Sequence, residues 1–242
     1  MQVVTLKNVP DLNQRRAMAF AVDRQTLIDN VAQADQIPAT GMVPKGMPGF
    51  EVIKQDFLPV RADLEKAKAF MAKVENPKRK ITLFHNDAPG HKEIAVAVQA
   101  MWKGLGIDVT IKAQEWAQYL QFLGPPPSDA VYVYRLGWIG DYVDPMNFLE
   151  VWTSKSGNNN SGFANAEYDQ LIAKARATPD NAKRYEVYRQ AEAMLTGPDG
   201  ALNFIPLYWY TYTNLERESV KDTFNINLLD QFDLSKVVVK EV

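Results

Sequence analysis

Lys80-Ile81-Thr82-Leu83-Phe84 opens the stretch that decides the fold. A helical pattern from Glu93 to Leu105 follows, then Ile107-Asp108-Val109-Thr110-Ile111. A second helical pattern runs from Glu115 to Leu123, and after Pro125-Pro126-Pro127 comes Ala130-Val131-Tyr132-Val133-Tyr134-Arg135-Leu136. Ile81 and Leu83, and then Ile107, Val109 and Ile111, alternate with polar neighbours at the two-residue period of a strand. In the third run Val131, Val133 and Arg135 share one face, and Tyr132, Tyr134 and Leu136 the other. Gly104 or Gly106 closes the first helix, and the three prolines stop the second, because proline lacks the amide a helix interior requires. Strands separated by helices of crossover length predict an α/β layer with at least some parallel pairing.

Working outward, Val3 to Leu6 is a short β-prone run ended by Asn8-Val9-Pro10. Asp11 or Asn13 caps a helix carrying Ala17, Phe20 and Ala21 and, past a break, Leu27, Ile28 and Val31. Residues 35–60 hold Pro38, Pro44, Pro48 and Pro59 with Gly41, Gly46 and Gly49. That is a long irregular excursion, and such loops are functional or clamped onto another surface. Asp63 caps a helix from Leu64 to about Val74. Towards the C-terminus, helices are predicted around Pro145–Trp152, Ala166–Ala177 and Asn181–Leu195, an aromatic strand from Phe204 to Thr213, and a last strand at Val237-Val238-Val239. With no repeat and no obvious linker, residues 1–242 read as one compact domain.

Composition narrows the function classes. The chain has 46% hydrophobic and 23% charged residues, an ordinary globular balance that fills a core. Twenty-seven basic against 29 acidic residues give a net charge of −2, so no broad positive field favours nucleic acid or anionic lipid. With no cysteines, disulfides, thiol catalysis and cysteine-based metal sites are excluded. No apolar run approaches the roughly 20 residues that cross a bilayer. Met1-Gln2-Val3-Val4-Thr5-Leu6 lacks the charged-then-apolar pattern of a signal peptide, so the expectation is a cytoplasmic protein or a mature segment without its export signal.

Four further stretches resemble the oligopeptide- and dipeptide-binding receptors of family 5 of the extracellular solute-binding proteins. They are Arg15-Arg16-Ala17-Met18-Ala19-Phe20-Ala21-Val22-Asp23-Arg24; Pro38-Ala39-Thr40-Gly41 with Gly46-Met47-Pro48-Gly49; Gly137-Trp138-Ile139-Gly140-Asp141-Tyr142-Val143-Asp144-Pro145 running into Asn147-Phe148-Leu149; and Ser156-Gly157-Asn158-Asn159-Asn160-Ser161-Gly162-Phe163 with Tyr168-Asp169 and Ile205-Pro206-Leu207-Tyr208. The resemblance implies an α/β lobe with a mixed sheet flanked by helices, one of the two lobes of a periplasmic-binding-protein fold. It matches the C-terminal lobe, with residues 1–8 and about 213–242 as hinge and return segments. The implied partners are a peptide ligand, the permease of an ABC transporter and the N-terminal lobe of the same receptor. Nucleic acid is not among them, no cofactor is implied, and the membrane enters only through the permease or a lipid anchor. The implied location is periplasmic or extracellular.

Within that picture the Gly137–Asp141 loop sits just beyond a strand's carboxyl end, where open α/β sheets bind ligands. The resemblance gives Asp141 the peptide's α-ammonium group and gives the backbone of Ile139 and Gly140 to pairing with an extended peptide. The plain alternative is that Asp141 caps a turn. Trp138 and Trp116 are either pocket walls or core residues, and Arg135 meets a ligand carboxylate or a nearby acid. Tyr119-Leu120-Gln121-Phe122-Leu123 lacks the basic residue that receptors for longer peptides can carry there, which leaves ligand length open. The aromatic strand reads mostly as core, and Gly157–Asn160 as a structural turn. Two rival classes are an enzyme, with Asp141, Asp144 and Glu150 as glycosidase-like carboxylates, and a receptor for another solute (oligosaccharide, nickel or haem). No hydrolase or nucleotide-binding fingerprint supports catalysis, and His85 and His91, one on a strand end and one near a helix start, read as solvent-exposed loop residues rather than metal ligands.

Overall fold

In the computed structural model, residues 2–5, 9–123, 132–212, 215–220 and 234–240 are described. In chain order the elements are β1 (Gln2–Thr5), α1 (Leu12–Phe20), α2 (Arg24–Leu27), β2 (Ile37–Pro38), α3 (Phe50–Ile53), α4 (Leu64–Met71), β3 (Lys80–Asn86), α5 (His91–Lys103), β4 (Asp108–Gln114), α6 (Trp116–Phe122), β5 (Tyr132–Gly137), α7 (Met146–Leu149), α8 (Ala166–Arg176), α9 (Asn181–Thr196) and β6 (Phe204–Trp209). The helix starts follow the capping chemistry in the sequence. Asp11 accepts from the Gln14 amide, Asp23 from Thr26, Asp63 from Lys66 and Asp180 from Lys183, each satisfying an amide that the first turn leaves without a partner.

One six-stranded mixed sheet, in the order β2-β6-β1-β5-β3-β4, runs through the structure. The expected parallel pairing joins β3 to β4 and to β5, while β1 lies antiparallel between β5 and β6. One face buries Ile81, Leu83, Val133, Ile205 and Leu207 beneath α1, α4 and α5. On the other face Tyr132 and Tyr134 pack with Tyr119 of α6, and further along Phe204 and Trp209 pack under α7, α8 and α9. The alternation in β5 therefore feeds two layers, as its period of two requires. Trp102 of α5, fully enclosed, donates its indole N–H to the Met18 carbonyl and ties α5 to α1.

Two readings are corrected. Residues 237–239 are not a strand: they lie outside the sheet, with Val238 and Val239 exposed, so the β preference of three valines has no ladder to join. His85 and His91 do stand at a strand end and a helix start, but His85, the penultimate residue of β3, is only 1% exposed rather than a solvent-exposed loop residue. The 130–136 strand is observed from Tyr132, its first two residues lying outside the described ones, and the aromatic strand ends at Trp209. Among the described residues no helix is long and apolar enough to cross a membrane.

Candidate ligand-binding site

Strand register places the site. Gln2 lies opposite both Gly137 and Tyr208, so β5 and β6 finish at the same end of the sheet, flanking the start of β1. β3 and β4 run parallel to β5 and finish at that end too, at Asn86 and Gln114. The residues just beyond, Trp116, Trp138 to Asp141 and Tyr210 to Tyr212, are therefore gathered along one edge, the position where open α/β sheets hold ligands.

Two adjoining clefts share Ile139, Tyr210 and Tyr212. The first is lined also by Trp116, Arg135 and Leu136; the second by Trp138, Gly140, Phe148, Trp209 and the loop residues Pro44, Lys45 and Met47. Five of the six predicted ligand residues, Trp116, Arg135, Trp138, Ile139 and Gly140, are thereby brought together. Trp116 is 49% and Ile139 64% exposed, so neither is a core residue. Trp138 is half-buried and donates its indole N–H to Asn147 Oδ1 at 2.9 Å, which fixes the ring as a wall. The sixth residue, Asp141, lines neither cleft but follows directly on Gly140. It is exposed, and its carboxylate has no hydrogen-bond or ion-pair partner among the described residues. A turn-capping role would show as a bond from a nearby backbone amide, and that role falls to Asp144, which accepts from the Met146 amide at 2.9 Å.

Arg135 is 8% exposed, and its guanidinium donates to Asn86 Oδ1 at 3.0 Å and to the Tyr210 hydroxyl at 2.6 Å. Both bonds hold the guanidinium plane in a fixed orientation at the cleft. Burial pushes the Tyr210 hydroxyl up, against the lowering effect of Arg135. His85 and His91 both turn Nδ1 towards the Asn86 carbonyl, at 3.0 and 3.4 Å. Desolvation, reinforced by Arg135, pulls His91 down to about 4, so at neutral pH its ring is uncharged. Among the described residues no group of three or more potential metal ligands occurs.

One helix braces both walls of the second cleft. Arg184, Tyr188 and Glu192 lie four residues apart on α9, one face of a helix. Arg184 and the Tyr188 hydroxyl bind the Asp144 carboxylate at 3.0 and 2.8 Å, fixing the end of the Gly137–Asp144 loop. Glu192, buried, accepts from the Met42 amide at 2.8 Å, from Val43 at 3.3 Å and from the Thr196 hydroxyl at 2.8 Å, fixing the loop that continues into Pro44–Met47. Desolvation pushes the Glu192 carboxyl up, and these three bonds oppose it. A Cβ on Gly41 would come within 2.8 Å of Glu192 Oε1, so any larger residue there would have to displace the carboxylate from this arrangement. Glu150 accepts from the Tyr142 hydroxyl and from Arg176. Asp144 and Glu150 thus both hold loop segments in place.

Sequence reasoning missed Lys45, Met47 and Asn86, and ranked Tyr210 and Tyr212 low. The available signal was the glycine- and proline-rich 35–60 excursion, whose length marked it as clamped. In the 157–163 loop the left-handed residue is Gly162 (φ +79°), while Asn159 works through its side chain, donating to the Trp152, Thr153 and Phe163 carbonyls.

Residues 6–160, more than half the chain, match the family model "Bacterial extracellular solute-binding proteins, family 5 Middle". The oligopeptide-binding protein OppA of Bacillus subtilis is 35% identical over 89% of this chain and 40% of its own length. The dipeptide-binding protein DppE of the same organism is 33% identical over 90% of this chain and 41% of its length. The crystal structure of Haemophilus influenzae OppA in complex with RPPGFSPFR superposes with a TM-score of 0.79 at 25% identity, covering 99% of this chain and 48% of that one. The chain thus spans about two-fifths of the length of these curated relatives and about half of that solved structure. With its mixed sheet, its helical layers and this match, the chain belongs to family 5 of the bacterial extracellular solute-binding proteins.

Proposed function

We propose that this chain, over residues 1–242, is one lobe of a two-lobed receptor that captures peptides outside the cytoplasmic membrane and hands them to the permease of an ABC importer. Residues 1–8 and about 213–242, of which only 2–5, 215–220 and 234–240 are among the described residues, serve as hinge and return segments to the second lobe, and attachment to the membrane is through the permease or a lipid anchor. The observation that carries this reading is the exposed, unpartnered Asp141 at the lip of an aromatic cleft whose walls are otherwise braced. The relatives' names, oligopeptide- and dipeptide-binding, support peptide as the ligand class.

The division of labour follows from chemistry. Asp141 accepts hydrogen bonds from the α-ammonium group and so sets which end of the peptide lies where. The backbone of Ile139 and Gly140 pairs with an extended ligand irrespective of its side chains. Trp116 and Trp138 give apolar contact without demanding a partner, and Arg135 faces a ligand carboxylate. The commitment of Asp144 and Glu150 to loop-holding bonds supports binding without catalysis.

In the two-lobed receptor, Asp141→Asn is expected to weaken peptides with a free α-amine by roughly 10- to 150-fold, the worth of a charged hydrogen bond of about 1.5–3 kcal/mol. N-acetylated peptides of the same sequence should be affected far less. Calorimetry on matched pairs checks this, and equal losses for both would show that Asp141 holds the loop. Thermal stabilisation by an oligosaccharide, nickel or haem, with none by any peptide, would replace the ligand class.

A further inference from the structure

The second cleft carries one cation. Lys45 lines it opposite Trp138 and Ile139, with Trp209, Tyr210 and Tyr212 as further aromatic wall. Among the described residues no acidic side chain lines this cleft, and Lys45 has no ion-pair partner. Surface lysines on free loops are poor specificity elements, because ordering them costs side-chain entropy. Here the loop is pinned on both sides. Glu192 holds the Met42 and Val43 amides upstream, and Met47 donates its amide to the Pro44 carbonyl at 3.2 Å, closing the turn that bears Lys45. Downstream, Gly49 (φ +76°) lies so close to the Tyr185 ring of α9 that a Cβ would approach it to 2.4 Å, and Gln55 donates to the Arg189 carbonyl at 3.2 Å.

We propose that Lys45 is a specificity-determining residue of this site, and that its ammonium selects ligands bringing a carboxylate into the cleft between Pro44–Met47 and Trp138–Gly140. This rests on the peptide-receptor reading. A ligand that fills an aromatic cleft displaces water, and two opposite charges attract more strongly where water is excluded. Lys45 is exposed at the rim, so a neutral side chain leaves its ammonium hydrated, whereas a cation placed beside it, away from Asp141, is repelled. The result is a preference rather than a requirement. The carboxylate has two sources in a peptide, an Asp or Glu side chain or the C-terminus.

The test is calorimetry on the two-lobed receptor with short peptides of two designs. One set carries Glu or Gln at each position in turn with an amidated C-terminus; the other has neutral side chains and a free or amidated C-terminus. In one of the two sets the wild type should favour the carboxylate by about two- to fivefold, what an ion pair at a cleft rim supports. Lys45→Met should erase that ratio, Lys45→Arg keep it and Lys45→Glu invert it, each ratio being read within one variant so that any change in overall affinity cancels. The responsive set identifies the source. Peptide binding with no Lys45-dependent charge preference in either set overturns this proposal alone, as does an equal loss for all ligands in Lys45→Glu. Failure of the wild type to bind any peptide overturns the receptor reading and the proposal with it.

Discussion

The 242-residue chain by itself is expected to bind short peptides with a dissociation constant in the millimolar range or weaker, at least about 1,000-fold weaker than a receptor whose second lobe closes over the same site. The exposures carry the argument. Asp141, Ile139 and Trp116 all face solvent, so a peptide resting on them stays half hydrated. An ion pair in that setting contributes only about 0–1 kcal/mol, against the 4 kcal/mol or more lost when two molecules associate. Closure of two lobes about a hinge changes both sides of that comparison, because it excludes water and so strengthens each buried hydrogen bond and the ion pair at Asp141. The relatives' lengths fit a site shared between lobes, since the chain covers 40% of one and 41% of another. A titration of the chain with mixed short peptides, followed by calorimetry or NMR, makes the measurement. Micromolar or tighter binding would show that the site is complete within these residues, and the one-lobe reading would then be wrong.

The parts of this fold that were legible in the sequence are those whose cause is local. Strands β3, β4 and β5 announce themselves because alternate residues face a helical layer, and Asp11, Asp23 and Asp63 sit where a helix start needs an acceptor. What long-range pairing decides was not legible. β1 is four residues long, yet it lies between β5 and β6, whose residues come more than a hundred positions later. That insertion, with β2 pairing to β6, carries Tyr210, Tyr212 and the Lys45 loop towards Trp138, and nothing near residue 45 encodes it. His85 is enclosed rather than exposed for a related reason. The alternation that marks β3 stops at Leu83, but the strand runs on to Asn86 because β4 keeps pairing through Gln114. Trp138 and Ile139 could be recognised from their place after a strand, whereas the bracing by Arg184, Tyr188 and Glu192 is visible only once α9 is packed across both loops.

Arg24→Met is expected to lower the unfolding free energy by about 2–4 kcal/mol, a fall in melting temperature of roughly 4–16 °C for a chain of this size. Arg24 ends the Ala21-Val22-Asp23-Arg24 segment and is fully buried. Two effects compete. Desolvation pulls the guanidinium down to about 9, with Asp23 only partly restoring it, and Nη2 has no hydrogen-bond partner among the described residues. Both are costs that methionine would remove, and buried charges exchanged for apolar side chains of similar volume can even stabilise. Against this stand the acceptors left behind. Nε donates to the Pro206 carbonyl of β6 at 2.8 Å and Nη1 to the Pro59 carbonyl at 2.7 Å, with longer contacts to the Ala19 and Val22 carbonyls at 3.4 and 3.3 Å. Methionine brings no donor. Each buried carbonyl deprived of its partner costs about 1–3 kcal/mol, so the two short bonds alone outweigh a cation whose charge is already spread over four oxygens. The Arg24 amide bond to the Val60 carbonyl survives the substitution, so the 59–60 loop stays tethered and the loss is read from the side chain. Denaturant unfolding with an unchanged slope and a lower midpoint is the expected result. A midpoint equal to or above the wild type would mean that relief of the buried charge wins, and that this arginine is retained for something other than stability.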